Sequence, residues 1–434
     1  MSGPDLRNRK APSTPPQNGS PTSNASQHNN SEEPTPVHGP LMQLLRILAF
    51  NIFFFGIGFF MHGGQLLGMP IYFISKPHYY AWQSLMKANF GLLITKMTQL
   101  FSPTTIRISG DRSVTGLLHQ RAGDGMLQVD FGERVVLMAN HQIYTDWIYL
   151  WWIAYTNSVP AHGDVYIILK ESLKFVPVIG PAMMFFSFIF MKRKWSTDQL
   201  RLRYRLRKLT EPVSEPAKLE RRPMWLMIFP EGTNLSAFTR QGSAAFATKT
   251  GIEDMKRQLL PRTTGLQFCL QELRDSVPYL YDCTIAYEGT PASTGYAAEK
   301  YTLRSIYFQG LPPKSVNMHW RRFATASIPV NDAEAMQEWL LERWREKDAL
   351  LETFFRTGRF PAEVEAVEIE GAPREKGFRA KYICTEVMPR TSWEFFGIFV
   401  PCVVVGTVAW GLVGWIDRTF GKAALFGSEK WFGS

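Results

Sequence analysis

Residues 1 to about 40 are polar, rich in Pro, Ser, Asn and Gln, and show no apolar periodicity. Such a segment buries too little surface to offset the entropy of ordering, which predicts a disordered tail. Apolar residues begin at Leu41, and from Ile47 to Ser75 no residue carries a formal charge while His62 is neutral. The run is long for one clean span and Gly63-Gly64 interrupts it. It predicts a helix, a break and a second apolar helix within residues 41–78, as membrane segments rather than a buried core hairpin. A second uncharged run, Phe395 to Ile416, covers 22 residues. As a helix it would measure about 33 Å, close to the hydrocarbon thickness of a bilayer. With Trp393, Trp410 and Trp415 towards its ends, where indole prefers the interface, it predicts a transmembrane helix within residues 393–434. Positive charges flank both runs, so orientation is not legible.

Between the runs, strand-like and helix-like patterns alternate. Thr105 to Ile108 alternates as a strand does, and Arg134 to Met138, Phe186 to Met191, Met224 to Phe229 and Cys283 to Tyr287 read as strands. Trp147 to Tyr155 reads as an apolar helix. Strands separated by helical patterns predict an α/β layer fold over residues 79–330. Phe175 to Met191 resembles a span in its apolarity, but Pro177, Gly180 and Pro181 reduce it to strand length. Residues 331–361 hold a charged amphipathic helix, Glu334 to Phe355, and residues 362–392 read as a linker.

The 434 residues carry 48 Lys and Arg against 38 Asp and Glu, a net +10 that suits an anionic partner such as a phospholipid surface or a phosphate-rich ligand. Two membrane segments and the lack of a nucleic-acid-binding motif count against nucleic acid. The cysteines Cys269, Cys283, Cys384 and Cys402 form no C-x-x-C pair and no zinc spacing, so a reducing compartment and no metal are expected. The first apolar run comes too late for a cleavable signal peptide.

Candidate chemistry gathers at two strand ends. Asn140-His141-Gln142-Ile143-Tyr144-Thr145-Asp146 follows a buried strand and precedes an apolar helix. Histidine is a natural general base near neutral pH, and a nearby Asp fixes its tautomer and favours its charged form. On one continuous helix a five-residue offset separates side chains by about 140°, so His141 must stand in the turn before the helix for Asp146 to reach it. With eight histidines, about 0.4 such pairs arise by accident, so the spacing alone is weak. Phe229-Pro230-Glu231-Gly232-Thr233-Asn234 follows a second buried strand, and Pro230 and Gly232 force a turn where α/β sheets bind ligands. No G-x-S-x-G elbow occurs, so no serine nucleophile of that kind is indicated. Arg201, Arg203, Arg205, Arg207 and Lys208 read as a solvated helix side or as a face for a phosphate-rich ligand or anionic lipid. The aromatic group Trp147, Tyr149, Trp151 and Trp152 reads as packing.

The Asn-His-x-x-x-x-Asp and Phe-Pro-Glu-Gly-Thr elements, in this order, resemble those of the glycerolipid acyltransferase family. Phe190-Met191-Lys192-Arg193-Lys194-Trp195 and Val277-Pro278 with Tyr281 to Tyr287 are similar to two further blocks of that family. Leu260-Pro261-Arg262-Thr263-Thr264-Gly265 and Trp339 to Pro361 resemble its eukaryotic branch of lysophosphatidylinositol, lysocardiolipin and 1-acylglycerol-3-phosphate acyltransferases. The resemblance covers residues 41 to 361. It implies an acyltransferase-type mixed sheet with helices packed around it, and acyl transfer from acyl-CoA as co-substrate, without a permanently bound cofactor, to a lysophospholipid hydroxyl. It assigns His141 as base, Asp146 as its partner and Arg193 to the acceptor phosphate. Glu231, Gly232 and Thr233 would position the glycerol backbone, with Asn140 beside the substrate. The endoplasmic reticulum membrane is the expected location, with a mitochondrial or lipid-droplet surface as alternatives. A CoA-independent transacylase and a non-catalytic lipid-binding membrane protein are the competing readings.

Overall fold

The computed structural model describes residues 36–212, 221–363, 366–370 and 382–418. Most of the expected tail lies outside them, but its last positions are anchored, with the Val37 N–H donating to Gln309 O at 3.1 Å. The first apolar run forms α1 (Pro40–Leu67) and a single turn, α2 (Ile71–Ile74), followed by α3 (Lys76–Phe101). The break expected at Gly63-Gly64 is displaced: α1 runs through both glycines and ends at Gly68, just before Pro70. Arg46 docks α1 onto the rest of the chain by donating to Phe101 O at 2.5 Å and Tyr307 O at 3.1 Å, carbonyls at the end of α3 and of a later short helix.

The sheet begins with β1 (Thr105–Gly110), and β2 (Leu118–Gln120) and β3 (Leu127–Val129) form a small side sheet. Then come β4 (Arg134–Ala139), α4 (Asp146–Thr156), β5 (Val165–Lys170), α5 (Ile179–Phe185), β6 (Ile189–Met191), α6 (Trp195–Thr210) and β7 (Met224–Ile228). The segment from Phe175 to Met191 is thus a short helix before a three-residue strand, where the sequence predicted strand alone. The chain continues through α7 (Ala237–Thr250), α8 (Thr263–Leu273), β8 (Tyr279–Tyr287), α9 (Ala297–Lys300), α10 (Leu303–Tyr307), β9 (Ser315–Ala324) and α11 (Ala333–Thr357). After β10 (Glu368–Ile369) and β11 (Ile383–Glu386), a 3-10 segment (Glu394–Phe399) leads into α12 (Val400–Ile416).

Eight strands form one mixed sheet in the order β11-β1-β9-β8-β4-β7-β5-β6. The expected linker therefore supplies an edge strand, since β11 pairs antiparallel with β1, and β10 extends the side sheet beside β2. At the heart of the sheet β8, β4, β7, β5 and β6 run parallel, so the carboxyl ends of β4, β6 and β7 share one edge. These central strands are apolar on both faces, as helix-covered parallel strands must be; every residue of β7 is buried. Trp151 and Trp152 of α4 are fully buried against one face, and the amphipathic α11 covers the other with Trp344 and Leu340. Lys347 of α11 fixes the helix to β8, its buried Nζ donating to Asp282 at 2.5 Å and to Cys283 O at 2.6 Å.

Two stretches, Pro40–Ile74 and Glu394–Ile416, are long and apolar enough to cross a membrane, and little of either is buried. The second is not one helix, because the 3-10 segment occupies its start and Pro401 opens α12, where a residue without an N–H is tolerated.

Candidate active site

His141 follows β4 and stands in the turn ahead of α4, whose first residue is Asp146. From there Asp146 reaches back: His141 Nδ1 donates to Asp146 Oδ2 at 2.8 Å. The same oxygen accepts the N–H of Gln142 at 2.7 Å and of Ile143 at 3.0 Å, which closes the turn. The other oxygen accepts the hydroxyl of Tyr287, at the end of the neighbouring strand β8. Asp146 is fully buried, so its charge rests on these four donors. A carboxylate only accepts, so the proton sits on Nδ1 and the lone pair on Nε2, which bonds no other side chain among the described residues. The imidazole lies against the ring of Phe229, 4.4 Å between centroids, and its side chain keeps 19% of its surface exposed.

Phe229 to Gly232 is a β-turn at the end of β7, with the Gly232 N–H donating to Phe229 O at 2.9 Å. Pro230 and Gly232 suit its second and fourth positions, and Gly232 takes a φ of +74° that disfavours any side chain. Glu231 turns inward rather than towards an open site. Its two oxygens accept the N–H of His141 at 3.0 Å and of Leu259 at 3.3 Å, and it is buried, which pushes its carboxyl up to about 8. Its position is that of a brace behind His141, held between two backbone N–H groups. Asn140 is also fully buried: it donates to Ile285 O at 3.0 Å and accepts from Ile285 N at 2.8 Å, clamping β4 to β8. Thr233 stays half-buried, its hydroxyl uncommitted among the described residues.

Arg193 follows β6 on the same sheet edge and reaches Gly232, its Nη2 donating to Gly232 O at 2.6 Å. Its φ is +65°, a region that costs a non-glycine residue on the order of 1–3 kcal/mol and concentrates at functional sites. Partial desolvation and the charge of Arg262 both hold its guanidinium below the ordinary value. The structure thus brings His141, Asp146, Glu231, Gly232, Thr233 and Arg193 to one edge. The basic run of α6 is engaged elsewhere, Arg203 and Arg207 with Glu272 and Arg201 with Glu171. The sequence assigns no role to Tyr287 or Phe229; the order of the strands is what brings them against the pair. Among the described residues no group of His, Cys, Asp and Glu side chains could hold a metal ion.

Residues 112–288 match the family model described as Acyltransferase, and residues 307–383 that described as Acyltransferase C-terminus. An uncharacterized acyltransferase of Schizosaccharomyces pombe is 39% identical over 304 residues, which cover 69% of this chain and 82% of that protein. The 2-acyl-1-lysophosphatidylinositol acyltransferase of Saccharomyces cerevisiae is 37% identical over 306 residues, 64% of this chain and 76% of that one. Lysocardiolipin acyltransferase 1 of Gallus gallus is 32% identical over 312 residues, 70% and 72% of the two chains.

Proposed function

The chain belongs to the acyltransferase family, and from that premise we propose that it moves a fatty acyl group from acyl-CoA to the free hydroxyl of a lysophospholipid. The observation that carries the reading is the His141–Asp146 contact of 2.8 Å with Nε2 left open. Nε2 takes the proton of the acceptor hydroxyl as its oxygen attacks the thioester carbon. The tetrahedral oxyanion collapses, the carbon–sulfur bond breaks, and the CoA thiolate leaves with the proton that His141 held. Asp146 keeps the imidazole oriented and offsets its charge while it is protonated. Arg193 takes the acceptor's phosphate, for which a permanently charged planar fork is suited. Gly232 and Thr233 line the path of the glycerol between them, and acyl-CoA enters as co-substrate with no permanently bound cofactor. The names of the yeast and chicken relatives favour lysophosphatidylinositol and lysocardiolipin among acceptors. The two apolar stretches favour a membrane, for which we propose the endoplasmic reticulum, with the mitochondrial or lipid-droplet surface as alternatives.

The test is transfer of labelled oleoyl-CoA by membranes carrying wild type or His141→Ala, against lysophosphatidic acid, lysophosphatidylinositol, lysocardiolipin and lysophosphatidylcholine. Wild type is expected to label one or more acceptors, and the variant to be slower by about 10²–10⁴. A folded wild type that labels none from acyl-CoA but does so from diacyl phospholipid would be a transacylase. One that labels none from either donor would be a lipid-binding protein.

A further inference from the structure

The loop from Phe229 to Asn234 has no cation of its own, and its one charged side chain, Glu231, is buried behind it. Two arginines from other parts of the chain meet at this loop. Arg193 comes from the end of β6 and bonds Gly232 O. Arg262 comes from the start of α8, its backbone N–H held by Pro230 O at 2.8 Å. A Cβ placed on Gly232 would stand 3.7 Å from Arg262 Cδ and Nε and 4.0 Å from Cζ, so the Arg262 side chain lies along the glycine at van der Waals distance. Neither arginine forms an ion pair with a carboxylate among the described residues, although Arg201, Arg203, Arg207, Arg240, Arg257 and Arg321 all do.

Bringing two cations together without a counter-charge is unfavourable unless an anion joins them. A second feature points the same way. Arg262 is the cap residue of α8, a helix of 11 residues, and neither its side chain nor an acidic residue in the first turn satisfies the free amides there. We infer that Arg262 is a second phosphate-binding residue, closing with Arg193 a cradle over Gly232 at the N-terminus of α8 that holds the phosphate of the acceptor lipid. This rests on the reading of the chain as a lysophospholipid acyltransferase. The cradle adjoins the turn whose Phe229 packs on His141, so a phosphate seated there places the glycerol beside the base.

The experiment measures acceptor and donor KM for wild type, Arg262→Ala, Arg262→Lys and Arg193→Ala, with inorganic phosphate as competitor. Arg262→Ala should raise the acceptor KM by about tenfold or more at unchanged donor KM, as loss of a charge-assisted contact does, with partial recovery in Arg262→Lys. Inhibition by inorganic phosphate should weaken in parallel. An acceptor KM at the wild-type value, or a rise confined to the donor KM, would overturn the assignment. Should Arg262→Ala not fold, Arg262→Gln with a wild-type elution profile carries the same readout. Stabilisation by inorganic phosphate in a thermal shift separates this inference from the reading beneath it. If wild type transfers no acyl group yet is stabilised by phosphate and Arg262→Ala is not, the cradle stands and the acyltransferase reading falls. If phosphate fails to stabilise wild type, the cradle falls.

Discussion

Glu231 carries a carboxyl group with almost no exposed surface, bonded by backbone N–H groups from two separate loops, those of His141 and Leu259. Those bonds favour the ionised form, but the loss of hydration outweighs them, and the group moves from 4.5 to about 8. A folded-state value above the unfolded one means that folding takes up a proton here. The stability this contributes is complete below about 4.5 and is lost as the pH rises through about 8. Glu231→Gln cannot titrate, so the melting temperature of wild type relative to this variant should fall steadily across that window. The amide sets only a constant offset. A difference that stays flat would show that the carboxyl ionises as if exposed. The turn between His141 and Asp146 was legible because their spacing permits contact in no continuous helix. The roles of Glu231, Asn140 and Tyr287 were not, because each depends on a partner more than 80 positions away in the chain.

Among the elements, α1 shows why a glycine pair was misread as a break. In an apolar helix a glycine costs little, and Gly64 is kept for close approach: a Cβ there would lie 2.9 Å from Cys402 Sγ and 3.0 Å from Met86 Sδ. One turn later Gly68 lies against Trp82 of α3, whose indole N–H donates to Gly64 O at 2.9 Å. A Cβ on Gly68 would fall 2.2 Å from the Trp82 ring, whereas Gly63 has nothing within 4 Å. Gly68→Ala should therefore destabilise the α1–α3 contact by about 1–3 kcal/mol, as overpacking does. Gly63→Ala should be neutral or slightly stabilising, because alanine is the better helix former. Melting of the detergent-solubilised variants distinguishes them, and equal melting of the two would refute the packing account. Of the central strands β5 was missed, but β4, β6, β7 and β8 were legible from their apolar runs. The strand β11 was not, since four residues at a sheet edge carry too short a pattern to separate from a connection.

Across the whole molecule, the two apolar stretches from opposite ends of the sequence meet. Phe53 stacks on Phe395 at 5.7 Å, Phe60 packs on Phe399 at 5.1 Å, and the Cys402 thiol lies 3.8 Å from Phe60 O. Their remaining faces are apolar and uncovered, with Phe73, Ile74 and Trp410 each more than 80% exposed. An apolar surface of this length is unfavourable in water, and a bilayer is the environment that removes it. If both stretches are embedded, membranes washed in alkaline carbonate should retain the full chain. α1 alone, 28 residues or about 42 Å long, exceeds the hydrocarbon thickness, so a chain ending at Trp393 should be retained too. Retention of the full chain with release of the shortened one would make α12 the sole anchor and leave α1 at the surface. Release of both would mean that these faces cover one another or a partner protein. A lipid acceptor would then have to leave its membrane to reach His141.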